Sequence, residues 1–180
     1  PVNVDCGTSV DVVGFNGMSW VGDDRYVRSG RPGTVRNDDR LISPLTTLRY
    51  FPDQRKKNCY SFPGVGQGIK ILVRAWFVYG NYDGLSLPRT FNLLFNGNFW
   101  GTVNVTSTSF YDDQLFEMIY ITKADDVSIC LARIRTNPND VPFINSLEIK
   151  QLDQPMYQDM DTNRPLYVKG RYAYASSNPI

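Results

Sequence analysis

Ile69-Lys70-Ile71-Leu72-Val73-Arg74-Ala75-Trp76-Phe77-Val78-Tyr79 is the run on which the reading of this chain turns. Successive side chains of an extended backbone point to opposite faces. Ile69, Ile71, Val73, Ala75, Phe77 and Tyr79 therefore share one face, and Lys70, Leu72, Arg74, Trp76 and Val78 share the other. One face is apolar and the other mixed, which is the pattern of a long strand covering a core. This register predicts Ile71, Val73, Ala75 and Phe77 in that core, and a slip of one residue would reverse every assignment.

Downstream, Phe91-Asn92-Leu93-Leu94-Phe95 and Phe99-Trp100-Gly101-Thr102-Val103 flank Asn96-Gly97-Asn98. Asn-Gly accepts positive φ at both turn positions, so this stretch predicts a tight β-hairpin. Leu115 to Thr122 and Val127 to Ile134 predict a further strand pair joined across Lys123-Ala124-Asp125-Asp126, and Phe143 to Leu152 predicts one more strand, led in by Pro142. Gly30-Arg31-Pro32-Gly33, Phe62-Pro63-Gly64 and Asn137-Pro138-Asn139-Asp140 break the chain at intervals. No long stretch carries apolar residues at helical spacing without an interrupting Gly or Pro. Many short strands, frequent turns and almost no helix give an all-β, antiparallel sandwich. After Pro155 the composition turns polar, and Ser176-Ser177-Asn178-Pro179 has the character of a linker or edge.

The 180 residues suffice for one core, with 42% apolar and 13% aromatic side chains; aromatic rings suit a half-buried sheet. A net charge of +1 supplies no field for nucleic acid. Arg55-Lys56-Lys57 is the one short basic cluster and is read as a solvated turn. No segment approaches the roughly 20 apolar residues that cross a bilayer. The chain starts at Pro1 without a Met or a signal sequence and is expected to be a processed or excised piece. Cys6, Cys59 and Cys130 allow one disulfide and one thiol, with three pairings open. Asn104-Val105-Thr106 is a glycosylation sequon.

Several chemistries lack their residues. The chain has no histidine, which removes Ser-His-Asp and Cys-His catalysis and most zinc sites. Gly64-Val65-Gly66-Gln67-Gly68 lacks the Lys-Ser/Thr ending of a phosphate loop and reads as an interstrand loop. Adjacent carboxylates at Asp23-Asp24, Asp38-Asp39, Asp112-Asp113 and Asp125-Asp126 are not the opposed pair of a glycosidase. Glu117 and Glu148 fall inside strands. Asp23-Asp24 matches no EF-hand spacing. No catalytic residue, metal or cofactor is expected.

Separate runs repeat one order of motifs: Val2-Asn3-Val4-Asp5-Cys6-Gly7, then Trp20-Val21-Gly22-Asp23-Asp24 with Tyr26-Val27 and Ser29-Gly30. Leu48-Arg49-Tyr50-Phe51-Pro52 follows, with Arg55 and Asn58-Cys59-Tyr60. Leu72 to Gly84 is the most specific run, followed by the hairpin that ends at Phe99-Trp100. Val127-Ser128-Ile129-Cys130-Leu131 and Pro142-Phe143-Ile144-Asn145-Ser146-Leu147-Glu148 complete the series. Together these resemble the malectin-like ectodomains of plant leucine-rich-repeat receptor kinases, over Val2 to about Leu152. The segment from Arg133 to Asp140 departs from the short link of that family. The family usually carries two malectin folds, leucine-rich repeats, a membrane helix and a kinase; the matching runs belong to the first fold.

The resemblance implies a jelly-roll-like β-sandwich over residues 1–154. A polar extension, or the start of a second malectin-like unit, would then occupy 155–180. It implies placement at the extracellular face of the plasma membrane, as part of a receptor, or secretion. It also implies a glycan or cell-wall carbohydrate as ligand, since animal malectin binds glucose-containing N-glycans. The alternative is a module that docks a peptide or co-receptor protein; a third reading is an accessory domain of a secreted glycosidase. By strand position Tyr79 matches a sugar-stacking aromatic of the animal protein, with Tyr50 second, whereas Gly80 replaces the next aromatic.

The residues themselves support a site there. Sugar faces stack on rings while acids and amides take hydroxyls, and Tyr79-Gly80-Asn81-Tyr82-Asp83-Gly84 offers both. The candidate ligand-binding set is Tyr50, Tyr79, Tyr82, Asp83 and Trp100. The competing reading of the same run is a turn in which Asn81 and Asp83 bond their own backbone.

Overall fold

The computed structural model describes residues 1–14, 17–36, 44–105, 113–134 and 140–170. Three sheets carry the chain. The largest has spatial order β14 (Leu166–Val168), β10 (Gln114–Ile121), β7 (Lys70–Phe77), β13 (Ser146–Gln151), β1 (Val2–Asp5), β3 (Ser19–Gly22) and β2 (Val12–Val13). Facing it is a four-stranded sheet, β6 (Lys57–Phe62), β11 (Val127–Arg133), β8 (Arg89–Phe95) and β9 (Asn98–Val105). A small third sheet joins β12 (Phe143–Ile144), β5 (Thr47–Tyr50) and β4 (Arg31–Thr34). Among the described residues the strand pairs are antiparallel except β1 with β3, and one 3-10 turn, Asp23–Arg25, interrupts the β structure.

The alternating run sits where its pattern requires. Ile71, Val73, Ala75 and Phe77 all lie in the core between the two large sheets. Phe77 meets Phe91, Phe116 and Phe143 edge-on, with ring centroids 5.8, 5.8 and 6.3 Å away. The strand ends at Phe77, two residues earlier than the alternation suggests, and Val78 and Tyr79 are both buried beyond it. The mixed face is covered too. Lys70 donates through Nζ to the carbonyls of Gln154 and Met156. Lys123 Nζ donates to that of Thr162. Thus the chain after Leu152 turns back over the outer side of the sheet before it pairs with β10 as β14. Leu72 and Ile119, which point to that side, are 4% and 0% exposed. Arg74 lies on this face between Glu117 and Glu148 of the neighbouring strands and pairs with both.

The hairpin forms as its Asn-Gly predicts. Phe95 pairs with Asn98, so Asn96 and Gly97 are the two turn residues, at φ 48° and 77°. A bulge follows between Leu93 and Leu94.

Two readings of the sequence change. The segments 114–121 and 127–133 are strands, but they do not pair with each other: β10 belongs to the larger sheet and β11 to the smaller. The loop between them is an arch across the sandwich, not a hairpin turn. Thr122 N–H donates to Ile69 O at 3.0 Å, and Asp125 O accepts from Val65 and Gly66 N–H at 2.8 and 3.2 Å. The glycine-rich loop after β6 makes the same crossing in the opposite direction, and these bonds tie the two arches together. It is an interstrand loop, as read. The strand predicted from Phe143 to Leu152 is divided at Asn145, with β12 and β13 in different sheets. Asn145 turns the chain because its buried side chain serves two other segments. Its Oδ1 accepts from Val78 N–H at 2.7 Å, while Nδ2 donates to the carbonyls of Leu45 and Thr47 at 3.3 and 3.0 Å.

The motif runs nearest the N-terminus converge on one buried carboxylate. Asp23 accepts from Arg49 Nε and Nη2, both at 2.6 Å, from Tyr60 O–H at 2.8 Å and from Gly7 N–H at 3.0 Å. Arg49 also reaches Asp24 at 2.7 Å. Asp23 therefore spends its oxygens on the fold, and among the described residues no cluster of acids, His or Cys could hold a metal ion. Cys6 is buried beside this network, and burial together with Asp23 raises its thiol pKa well above the ordinary value. Gly7 has φ 85°, and a Cβ there would lie 2.0 Å from the Leu48 carbonyl oxygen; only glycine fits. Cys59 and Cys130 form the disulfide and stand opposite one another on β6 and β11.

Candidate functional site

Four of the five predicted ligand residues meet at one end of the sandwich, just past β7. The Tyr50 and Tyr82 rings lie 5.1 Å apart, and Tyr79 packs edge-on to Tyr82 at 5.5 Å. Tyr79 O–H donates to Asp83 Oδ1 at 2.6 Å, and Arg89 Nη2 holds the other carboxylate oxygen. The Arg89 guanidinium also lies 5.7 Å over the Tyr79 ring, a cation–π geometry. Trp100 is elsewhere. It packs against Phe95 and Phe116 inside the hairpin region, at 6.2 and 6.3 Å.

This end is closed rather than open. Tyr79 is 2% exposed and its ring is wedged among Tyr82 and Phe143. A sugar needs an exposed aromatic face, and Tyr79 presents none. The expected stacking role fails because Val78 and Tyr79 both turn inward where β7 ends. Asp83 is also spent. Burial pushes its carboxyl pKa up, but the Tyr79 hydroxyl, the Leu85 amide and Arg89 outweigh that and leave it below the usual carboxylate range. Burial first, then the bond to Asp83, raises the Tyr79 hydroxyl; burial likewise raises Tyr82.

The turn reading holds in detail. Asp83 Oδ1 accepts from Leu85 N–H at 3.1 Å and Asn81 Oδ1 from Ser86 N–H at 2.9 Å. Sequence reasoning missed Arg89, whose side chain is the partner of Asp83 and nearly buried. An arginine opening a strand six residues after an aspartate carries no signal of its own.

At the opposite end, the hairpin tip and the returning C-terminal segment enclose a pocket of about 320 Å³. Its walls include Phe99 and Tyr167, 60% and 49% exposed, with Asn98, Asn163 and Lys123 between them. Asn104 lies exposed on β9, where its Oδ1 accepts from Thr90 O–H at 3.0 Å. Thr106 of the sequon, Asp38-Asp39, Asp112 and the 135–139 stretch lie outside the described residues.

Two large sheets packed over one aromatic-rich core, with its tyrosines closed in at one end, define a β-sandwich domain. Residues 4–180 match the malectin-like domain family, and the chain belongs to it. It is 33% identical over 162 residues to a probable LRR receptor-like serine/threonine-protein kinase of Arabidopsis thaliana, covering 87% of this chain and 17% of that protein. An uncharacterized protein of Arabidopsis thaliana aligns at 33% identity over 179 residues, covering 99% of this chain and 35% of its own length. The ANX2 ectodomain of Arabidopsis thaliana superposes with a TM-score of 0.69 at 20% identity, over 85% of this chain and 42% of that one. A similar superposition, with a TM-score of 0.68 at 16% identity over 84% of this chain and 39% of that one, is with a chain in the crystal structure of plant peptide RALF23 in complex with FER and LLG2. The chain thus spans about a third or less of these curated relatives and about two-fifths of the solved ectodomains.

Proposed function

We propose that this chain is the ligand-recognition module of an extracellular plant receptor and docks a peptide or a co-receptor protein. One observation carries the preference for protein over sugar: Tyr79 and Asp83, the best candidates for sugar contact, are consumed by each other and by Arg89. The kinship with receptor kinases supports the setting, since the related RALF23 complex includes both a peptide and LLG2. A disulfide on the strand-to-strand face accords with an oxidising compartment. Attachment to the plasma membrane and an N-glycan on Asn104 belong to the same proposal. So does the assignment of binding rather than catalysis.

The test offers the purified chain to a displayed library of random peptides and to a glycan array in parallel. Peptide selection with a blank array is the expected result. Glycan binding without any peptide selection would replace this reading.

A second reading rests on the hairpin-end pocket. Phe99 and Tyr167 expose ring faces that Tyr79 does not, and Asn98 and Asn163 supply amides for hydroxyls. If sugar binds, Phe99→Ala should weaken a positive array glycan by about fivefold, on the ~1 kcal/mol scale of aromatic contacts. Unchanged affinity for that variant would remove the pocket from consideration.

A further inference from the structure

Arg55-Lys56-Lys57 leads into β6, which is an edge strand of its sheet. Along the outer edge of β6 runs the stretch from Arg25 to Ser29. The two begin to pair: Ser61 N–H donates to Tyr26 O at 2.9 Å, and Ser29 Oγ donates to Asn58 Oδ1 at 2.8 Å. The pairing then stops. Alternate residues of a strand direct their N–H and C=O to the same edge, so Cys59 and Lys57 direct theirs outward as Ser61 does. Neither has a main-chain partner on that edge among the described residues.

A groove of about 410 Å³ opens between the two stretches. Arg25, Arg28, Arg55 and Lys57 line it, all exposed, and no carboxylate does. Among the described residues, Arg25 is the one of the four in an ion pair, with Asp11 at 3.1 Å where both side chains are more than half exposed. The groove therefore combines two unmet demands: unpaired backbone groups along its floor and a cluster of cations on its walls.

We propose that this groove docks an extended acidic peptide segment as an added strand on the edge of β6. The peptide backbone meets the outward groups of Cys59 and Lys57, and its carboxylates meet the four cations. Adding a strand to an open sheet edge uses main-chain bonds for affinity and side chains for choice. Complementary charge raises the encounter rate and rejects basic segments. A peptide fits better than an acidic polysaccharide because a sugar chain has no alternating N–H and C=O to offer the edge. The proposal rests on the docking reading above and names the surface and the chemistry of its partner.

The test uses the 180-residue chain and peptides selected from the random library, measured against Arg55→Glu/Lys57→Glu. Both positions are exposed, and thermal melting confirms that the variant folds. Selected peptides should be rich in Asp and Glu, should bind more weakly as salt rises, and should lose at least tenfold in affinity to the double variant. N-methylation at alternate peptide positions should abolish binding in one phase and spare it in the other. Peptides that are not acidic, or that bind the double variant equally, overturn the groove but leave peptide docking standing. Selection of no peptide at all overturns both. An oligouronate that binds through Arg55 and Lys57 while acidic peptides do not would also overturn the peptide assignment, as would indifference to the phase of N-methylation.

Discussion

Tyr79 is buried just past the end of β7, against Tyr82 and Phe143. Its hydroxyl links Asp83 to the turn, donating to the carboxylate and accepting from Leu87 N–H at 3.3 Å. Tyr79→Phe should therefore cost stability, about 1.5–3 kcal/mol for a hydrogen bond to a charged group, measured by urea denaturation, and leave peptide affinity unchanged. The Asp83 carboxyl adds a pH signature. Its folded pKa is depressed, so its stabilisation is present above the unfolded value near 3.9 and is lost as pH falls through the folded value. Melting temperature should decline more steeply below about pH 4 in the wild type than in Asp83→Asn. The sequence showed that Tyr79, Tyr82 and Asp83 would cluster. Whether their polar groups faced a ligand or one another depended on Arg89, which only the turn between Asp83 and β8 brings back.

At the scale of elements, periodicity and turn chemistry were legible because they are local. The alternation through β7 placed its core face correctly, and Asn96-Gly97 set the hairpin register. Phe77→Ala should cost roughly 3–5 kcal/mol, the usual loss for a buried phenylalanine, read from chemical unfolding with the slope unchanged. A loss under about 1 kcal/mol would contradict its place among Phe91, Phe116 and Phe143. What the sequence could not distinguish was a hairpin from an arch. Lys123-Ala124-Asp125-Asp126 has the length of either, and the bonds that decide it come from Val65 and Gly66, about 60 residues earlier in the chain. The division at Asn145 was equally hidden, because its partners lie on two segments about 70 and 100 residues earlier in the chain.

For the molecule as a whole, the motif runs that carry the family resemblance are chiefly a folding signature. Gly7, Asp23, Arg49 and Tyr60 come from four separate runs and meet at a single buried carboxylate. This explains why the fold was plain in the sequence while the ligand was not: the buried members of these runs build the frame, and that use alone accounts for their recurrence. The polar stretch after Pro155 shows the converse, since its composition hides a structural use. It lies over Leu72 and Ile119 and adds β14 to the sheet. A chain ending at Gln154 should melt roughly 6–12 °C lower, taking ~3 kcal/mol for two re-exposed apolar side chains. An unchanged melting point by calorimetry would show that the segment is merely appended.

The Cys59–Cys130 bond has a mechanical meaning at the place where it sits. An edge strand pulled away from its sheet gives way like a zip, each rung bearing the whole load in turn, so its resistance is that of a single hydrogen bond. β6 is such a strand, and its outer side is the one that would carry a tethered partner. The disulfide joins its middle to β11, with Cys59 facing Cys130 and two or three rungs on either side. Tearing that starts at Lys57 or at Phe62 must therefore halt at a covalent rivet after a few ångströms. Tension on the β6 edge then passes into β11, and through its partner β8 into the interior of the sandwich, instead of peeling the docking strand free.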